Sequence, residues 1–136
     1  IDLENRKRLM CLHSAAHIVC FLFEKITGIH YSKCVGSNVD STKSRLDYEL
    51  DHNISVYFEK LTEEANKIFQ SDHPINTFAN KDDPNRREWE CPSLNQACPC
   101  GGTHVSNTNQ IGEIKLKRKN IGKGKERIEI ILLNSN

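Results

Sequence analysis

Leu9, Leu12, Ala16, Val19 and Phe23 recur at alternating steps of three and four, which predicts an amphipathic helix over residues 3–27 with Gly28 as its C-terminal cap. From Ile29 to Val39 the pattern is irregular and strand-like, with Gly36-Ser37 as a turn or bulge signal. Leu46, Tyr48 and Leu50 then alternate on one face while Asp47 and Glu49 take the other, so a hairpin opening towards the helix is the simplest arrangement. Ile54, Val56 and Phe58 alternate again and predict a further strand. Thr62-Glu63-Glu64 resembles a helix start, with Ala65, Ile68 and Phe69 as the apolar side and an end near Asp72, before Pro74.

Residues 75–99 are harder to read. Ile75 to Phe78 predicts a short strand, Lys81 to Arg87 is polar around Pro84, Trp89 suggests a buried anchor, and Pro92 and Pro99 keep the following segment extended. In the last third, Ile111, Ile114 and Leu116 form one strand, Gly122 and Gly124 reverse the chain, and Ile128 to Leu133 form another. These elements predict a single α+β domain over residues 1–136, an antiparallel β-sheet packed by two main helices.

Composition narrows this little. A chain of 136 residues, 37% hydrophobic and 27% charged, suits one ordinary soluble domain that buries roughly two-thirds of its unfolded surface. No signal peptide is visible and no uninterrupted apolar run approaches a membrane span, so a cytoplasmic location is expected, with the six cysteines reduced. Net charge is only +1, but from Lys115 to Arg127 seven basic residues face one acid, Glu126. An excess of +6 in one hairpin suits either a solvated turn or attraction to phosphates.

The chemistry gathers in two pentapeptides about ninety residues apart, His13-Ser14-Ala15-Ala16-His17 and Cys100-Gly101-Gly102-Thr103-His104. Histidines at i and i+4 lie one above the other on a helix, so both imidazoles can reach one ion. Glycine tolerates tight backbone and lets a loop close around a bound group. Alone, the histidine pair suits a core or surface helix equally well, and Cys-Gly-Gly marks only a turn. Together they supply the four borderline-soft donors that a tetrahedral zinc ion takes from a protein. Ser14 stands where zinc proteases carry a glutamate base, so water is not activated by a glutamate on this helix.

His13-Ser14-Ala15-Ala16-His17, Gly36-Ser37, Arg45-Leu46-Asp47-Tyr48, Pro99-Cys100-Gly101-Gly102-Thr103-His104-Val105, Thr108, Ile111-Gly112 and the closing Gly122-Lys123-Gly124 and Arg127-Ile128-Glu129-Ile130 resemble the editing domain of alanyl-tRNA synthetase. They are still more similar to its freestanding relatives, the AlaX proteins. The resemblance implies a common editing-domain fold and hydrolysis of the ester joining a wrong amino acid, serine or glycine, to alanine tRNA. It implies one zinc ion held by His13, His17, Cys100 and His104. Little glycine-rich sequence precedes the helix, as in the short AlaX class, although a start at Ile1 suits an editing domain excised from a full synthetase as well. Cys34 stands where the synthetases carry glutamine, Ser14 where they carry threonine, and Gln110 where an acid is common; these departures bear on the amino-acid pocket rather than the metal site.

A pocket shaped for alanine rejects serine or glycine only about 10²-fold, whereas a second site that rewards the hydroxyl discriminates far better. Ser14, Ser37, Asp47 and Thr103 are the polar candidates for reading the substrate. Thr103, Asp47, Gly101 and Gly102 are the catalytic set, the glycine amides as oxyanion donors. Zinc can polarise the ester, acidify water or hold the amino group, and Cys100 is either a permanent fourth ligand or one that yields. Lys117, Arg118, Lys119, Lys123 and Lys125 are the expected contacts to the tRNA backbone. The competing expectation is a non-catalytic zinc knuckle of Cys91, Cys98, Cys100 and His104 that binds RNA through the same hairpin.

Overall fold

A computed structural model of the chain describes residues 3–133. Helix α1 (Leu3–Thr27) runs the length predicted for it, and Gly28, at φ +76°, donates its N–H to the Glu24 carbonyl and turns the chain away. By length and composition alone α1 is apolar enough to cross a membrane, a measure that the core helix of a folded domain also passes. Here Leu12, Ala15, Ile18 and Val19 are wholly buried in the core beside residues of the sheet and of the second helix.

Strands β1 (Cys34–Val39) and β2 (Ser44–Glu49) form the expected hairpin, with a register shift between Cys34 and Gly36. The main sheet is antiparallel in the order β1-β2-β7-β6, where β6 is Ile114–Gly122 and β7 is Lys125–Leu132. Leu46 and Tyr48 on β2, with Ile128 and Ile130 on β7, turn into the core that α1 covers. The Ser44 hydroxyl on the same face donates to the Leu12 carbonyl at 2.7 Å, so period-2 alternation sends Arg45, Asp47 and Glu49 to the opposite face. At the β6–β7 turn Gly124 takes φ +75°, where a side chain would be strained.

Two predicted boundaries move. Ile54–Tyr57 is a short 3-10 turn rather than a strand, and it runs directly into helix α2 (Phe58–Phe69), which starts before Thr62 and ends before Asp72. The cause is Asn53, whose side chain accepts the Ser55 N–H at 2.8 Å and starts a helical turn. Ile54 is buried while Val56 is exposed, so the apparent alternation has no sheet face behind it. Likewise Ile111 closes a short turn (Thr108–Gln110) and is not part of β6. Asn66 on α2 pins the start of β6, accepting the Ile114 N–H and donating to its carbonyl.

Residues 76–99 build a second antiparallel sheet in the order β3-β4-β5, from Asn76–Ala79, Arg87–Cys91 and Gln96–Pro99. Only its first strand was expected. The fold class matches the expectation: two main helices with antiparallel sheets in one α+β domain.

The basic hairpin is rooted by a buried acid. Glu126 receives Nε–H and Nη2–H bonds from Arg118 at 2.7 and 2.8 Å, one from Asn120 at 2.8 Å and the Ile54 N–H at 2.9 Å. The Arg118 bonds lead in holding its pKa at about 2, below the ordinary 4.5, against the opposing effect of burial. A lowered folded-state pKa gives stability that is complete above about pH 4.5 and is lost as the pH falls towards 2. Glu126→Gln is therefore expected to lower Tm at neutral pH and to make the loss of Tm between pH 4.5 and 2 shallower, measured by circular dichroism melts across that range.

Candidate metal centre

The loop after β5 reaches α1 because it is fixed at both ends. The Cys100 N–H bonds the Arg87 carbonyl at 3.0 Å, and the Val105 N–H bonds the Ser14 hydroxyl, also at 3.0 Å. Between these points Cys100 and His104 face the two helical histidines, and one donor atom from each of the four residues lies within 4.8 Å of the others. His17 Nε2 is 3.0 Å from His104 Nε2, and Cys100 Sγ is 3.4 Å from His13 Nε2 and 3.5 Å from His104 Nε2. Three imidazoles and one sulfur thus converge on a common point, a set that could hold a metal ion.

The far edges of the two helical rings are also engaged, whereas His104 Nδ1 is buried without a hydrogen-bond partner. His13 Nδ1 donates to the Thr103 carbonyl at 3.2 Å, which leaves the Nε2 lone pair for the centre. His17 Nδ1 lies 3.4 Å from Cys98 Sγ, and buried Trp89 stacks on the same ring at 4.8 Å between centroids and 24° between planes. Burial, ahead of the neighbouring histidines, lowers the His17 pKa to about 3 and that of His104 to about 4; burial also lowers His13, against its bond to Thr103. All three imidazoles are therefore neutral near pH 7, as ligands must be.

Gly102 is required by close approach. A Cβ there would overlap the His13 ring, whereas one on Gly101 would meet nothing within 4 Å. Neither glycine has a positive φ, so closeness of backbone to ring, and not left-handed geometry, explains the second glycine.

Several polar candidates stand elsewhere. Ser14 is wholly buried, donating to the Met10 carbonyl at 2.8 Å while accepting from Val105, so it joins loop to helix and is withdrawn from the substrate-reading set. Asp47 is bound by Arg127 through two bonds of 2.7 and 3.1 Å on the sheet face turned away from α1, which removes it from the catalytic set. Ser37 is exposed on β1 opposite Leu46, while Thr103, Gly101 and Gly102 are exposed on the loop itself. Lys117, Lys119, Lys123 and Lys125 are exposed on the hairpin; Arg118 is committed to Glu126. Cys91 is buried at the end of β4 outside the cluster, and Cys98 sits behind His17, so the four residues of the knuckle do not converge. Trp89 is buried as expected of an anchor, but its contact with the His17 ring, like that of Cys98, was not legible in the sequence. Gln110, one of the departures from the synthetase pattern, caps a turn by accepting the Ser106 and Asn107 N–H groups.

Gly102→Ala is expected to displace His13 and abolish stoichiometric metal binding, while Gly101→Ala retains it, measured by metal content after dialysis. Cys98→Ala should weaken metal affinity by about 10–100-fold in chelator competition, with Cys98→Ser, which keeps an acceptor for His17, much closer to the native chain.

Residues 95–129, which span β5, the loop and most of the basic hairpin, match the family described as the threonyl and alanyl tRNA synthetase second additional domain. The chain is 32% identical over 133 residues to the alanyl-tRNA editing protein AlaX-M of Pyrococcus horikoshii, covering 97% of this chain and 60% of the relative. It is 27% identical to AlaX-M of Methanosarcina acetivorans, covering 98% and 62%. Alanine–tRNA ligase of Methanococcus maripaludis is 35% identical over 95% of this chain but only 16% of the ligase. The chain therefore spans about three-fifths of its AlaX-M relatives and about a sixth of the ligase. The chain is thus similar in sequence to AlaX-type alanyl-tRNA editing proteins and to a segment of the alanine–tRNA ligases, and part of it matches the second additional domain.

Proposed function

We propose that the chain is a zinc-dependent hydrolase that removes serine, and glycine, from wrongly charged alanine tRNA in the cytoplasm. The observation that carries this reading is the cluster of His13, His17, Cys100 and His104, in a chain similar to AlaX-M. A tetrahedral zinc ion with bonds of ~2.0–2.3 Å sets its ligand atoms roughly 3.3–3.8 Å apart. Three of the separations, at 3.0 to 3.5 Å, fall at or just under that spacing, and all four donor atoms lie within 4.8 Å of one another, so a small adjustment of the side chains would bring them to it. The mixed imidazole and sulfur donors favour zinc over the hard cations, which take oxygen.

Zinc held there would supply Lewis acidity to the ester or to the attacking water. The chain's own groups do the rest. His13, His17 and His104 stay neutral through burial, and the Thr103 carbonyl fixes the His13 ring. The exposed Gly101-Gly102-Thr103 segment lies against the centre, where backbone N–H groups can receive the developing oxyanion and the Thr103 hydroxyl can meet the substrate amine or hydroxyl. Water adds its hydroxyl to the acyl carbon, the bond between that carbon and the ribose oxygen breaks, and the water's other proton goes to the ribose oxygen, which leaves as a free hydroxyl. Lys117, Lys119, Lys123 and Lys125 hold the acceptor stem through phosphates, which positions the charged end without reading sequence.

The purified, zinc-loaded chain is expected to deacylate seryl- and glycyl-tRNA(Ala) and to spare alanyl-tRNA(Ala), with His13→Ala/His17→Ala inactive. If all three esters survive, the hydrolase reading falls. Replacing Lys117, Lys119, Lys123 and Lys125 with alanine should weaken tRNA binding and flatten the dependence of log affinity on log salt by roughly 0.7–0.9 per lost contact. An unchanged slope removes the hairpin from the interface.

A further inference from the structure

Cys20 and Cys34 come from different elements and meet inside the fold. Cys20 is on α1, three residues after His17, and Cys34 opens β1. The register shift in β1 brings the second thiol inwards: Cys34 opposes Tyr48, whereas Gly36 opposes Asp47. With no extra residue between those pairs, Val35 would oppose Tyr48 and Cys34 would stand opposite Glu49 on the outer face. The bulge instead puts Cys34 on the face of Tyr48, whose side chain is buried.

Three groups then touch. Cys34 Sγ is hydrogen-bonded to Cys20 Sγ, the Tyr48 hydroxyl donates to Cys20 Sγ at 3.6 Å, and Cys34 Sγ lies 3.5 Å from the Gly36 carbonyl. The bond from Cys34, joined by that from Tyr48, holds the Cys20 thiol below its ordinary 9 against burial and the nearby Glu24 carboxylate. Cys34 is raised by its bond to Cys20, and burial pushes Cys11, Cys91 and Cys98 up as well. Neither sulfur is sealed off: both side chains are only partly buried, and Cys20 lines a concavity of about 430 Å³ with Phe21, Ala97 and Pro99. A thiol favoured as its anion, reachable by small molecules and touching a second thiol has the chemistry of an attacking cysteine beside its resolving partner.

We propose that Cys20 and Cys34 form a thiol–disulfide exchange site, in which Cys20 attacks a small organic disulfide of the glutathione class and Cys34 resolves the adduct into a bridge between α1 and β1. The Cys20 thiolate bonds one sulfur of the small disulfide, and the other sulfur leaves as a thiolate. Cys34 gives its proton to that departing thiolate, attacks Cys20 Sγ and expels the second small thiol. Two protein thiols are oxidised and one small disulfide is reduced to two thiols, so the electrons balance. This chemistry goes beyond the hydrolase reading and does not depend on it, because neither cysteine belongs to the metal cluster.

The test treats the full zinc-loaded chain with glutathione disulfide and maps the products by mass spectrometry, with zinc content measured alongside. The native chain is expected to lose two of its six thiols, release two glutathiones, keep its zinc, yield a Cys20–Cys34 peptide pair and recover both thiols in dithiothreitol. Cys34→Ser should stop with one glutathione on Cys20, and Cys20→Ser should leave Cys34 unmodified. Tyr48→Phe, which keeps the buried ring but removes the O–H donor, should form the same bridge several-fold more slowly. A native chain whose thiols all survive, a bridge or adduct at other cysteines, or loss of zinc during the reaction overturns the assignment. The native-chain map decides the pairing by itself, so a variant that failed to fold would not shield the proposal.

Discussion

A buried hydroxyl holds the two halves of the site together. Ser14 lies between the ligand histidines on α1, gives its proton to the Met10 carbonyl and takes the Val105 N–H from the loop. Ser14 is wholly buried and its bond from Val105 is buried with it, so breaking that bond leaves a polar group without water to replace its partner. With Val105 fixed to the helix, His104 has little choice of direction, and Cys100, fixed to Arg87, closes the ring of donors from the other end. The small serine also leaves room for backbone to approach α1 closely, the condition for Gly102 to lie against His13.

Helix α1, the two hairpins of the main sheet and the four converging donors were legible because each repeats at a short, physically fixed interval. The 3.6-residue period, the alternation of strands and the spacing of paired ligands all act locally. What was illegible depends on partners far along the chain. Asp47 reads as a free acid until Arg127 is found across the sheet, and Ser14 reads as a substrate contact until Val105 is found above it. The sheet of β3, β4 and β5 was largely missed because its strands are short and β3 is exposed along its length, which leaves no apolar alternation. Asn53 was overlooked because the residues after it happen to alternate, although its cap decides their conformation.

Cys98 and Trp89 show why a ligand list is only half of a metal site. One meets the outer nitrogen of His17 and the other its face, so the ring can neither rotate nor tilt without losing a contact. No spacing rule announces either residue; each is defined by the ring it supports. The same desolvation that buries these rings keeps them unprotonated, so packing and ligand readiness have one cause.

The rooting of the basic hairpin carries a mechanical consequence. Glu126 ties Arg118 and Asn120 of one strand to the Ile54 amide that leads into α2, and Gly124 at the tip accepts the Leu50 N–H. A two-stranded arm fastened only at its base would swing under load and spend binding energy on its own ordering. This arm is a stiff bracket, guyed at both ends, so a molecule gripping its lysines is held at a set distance and angle from the core.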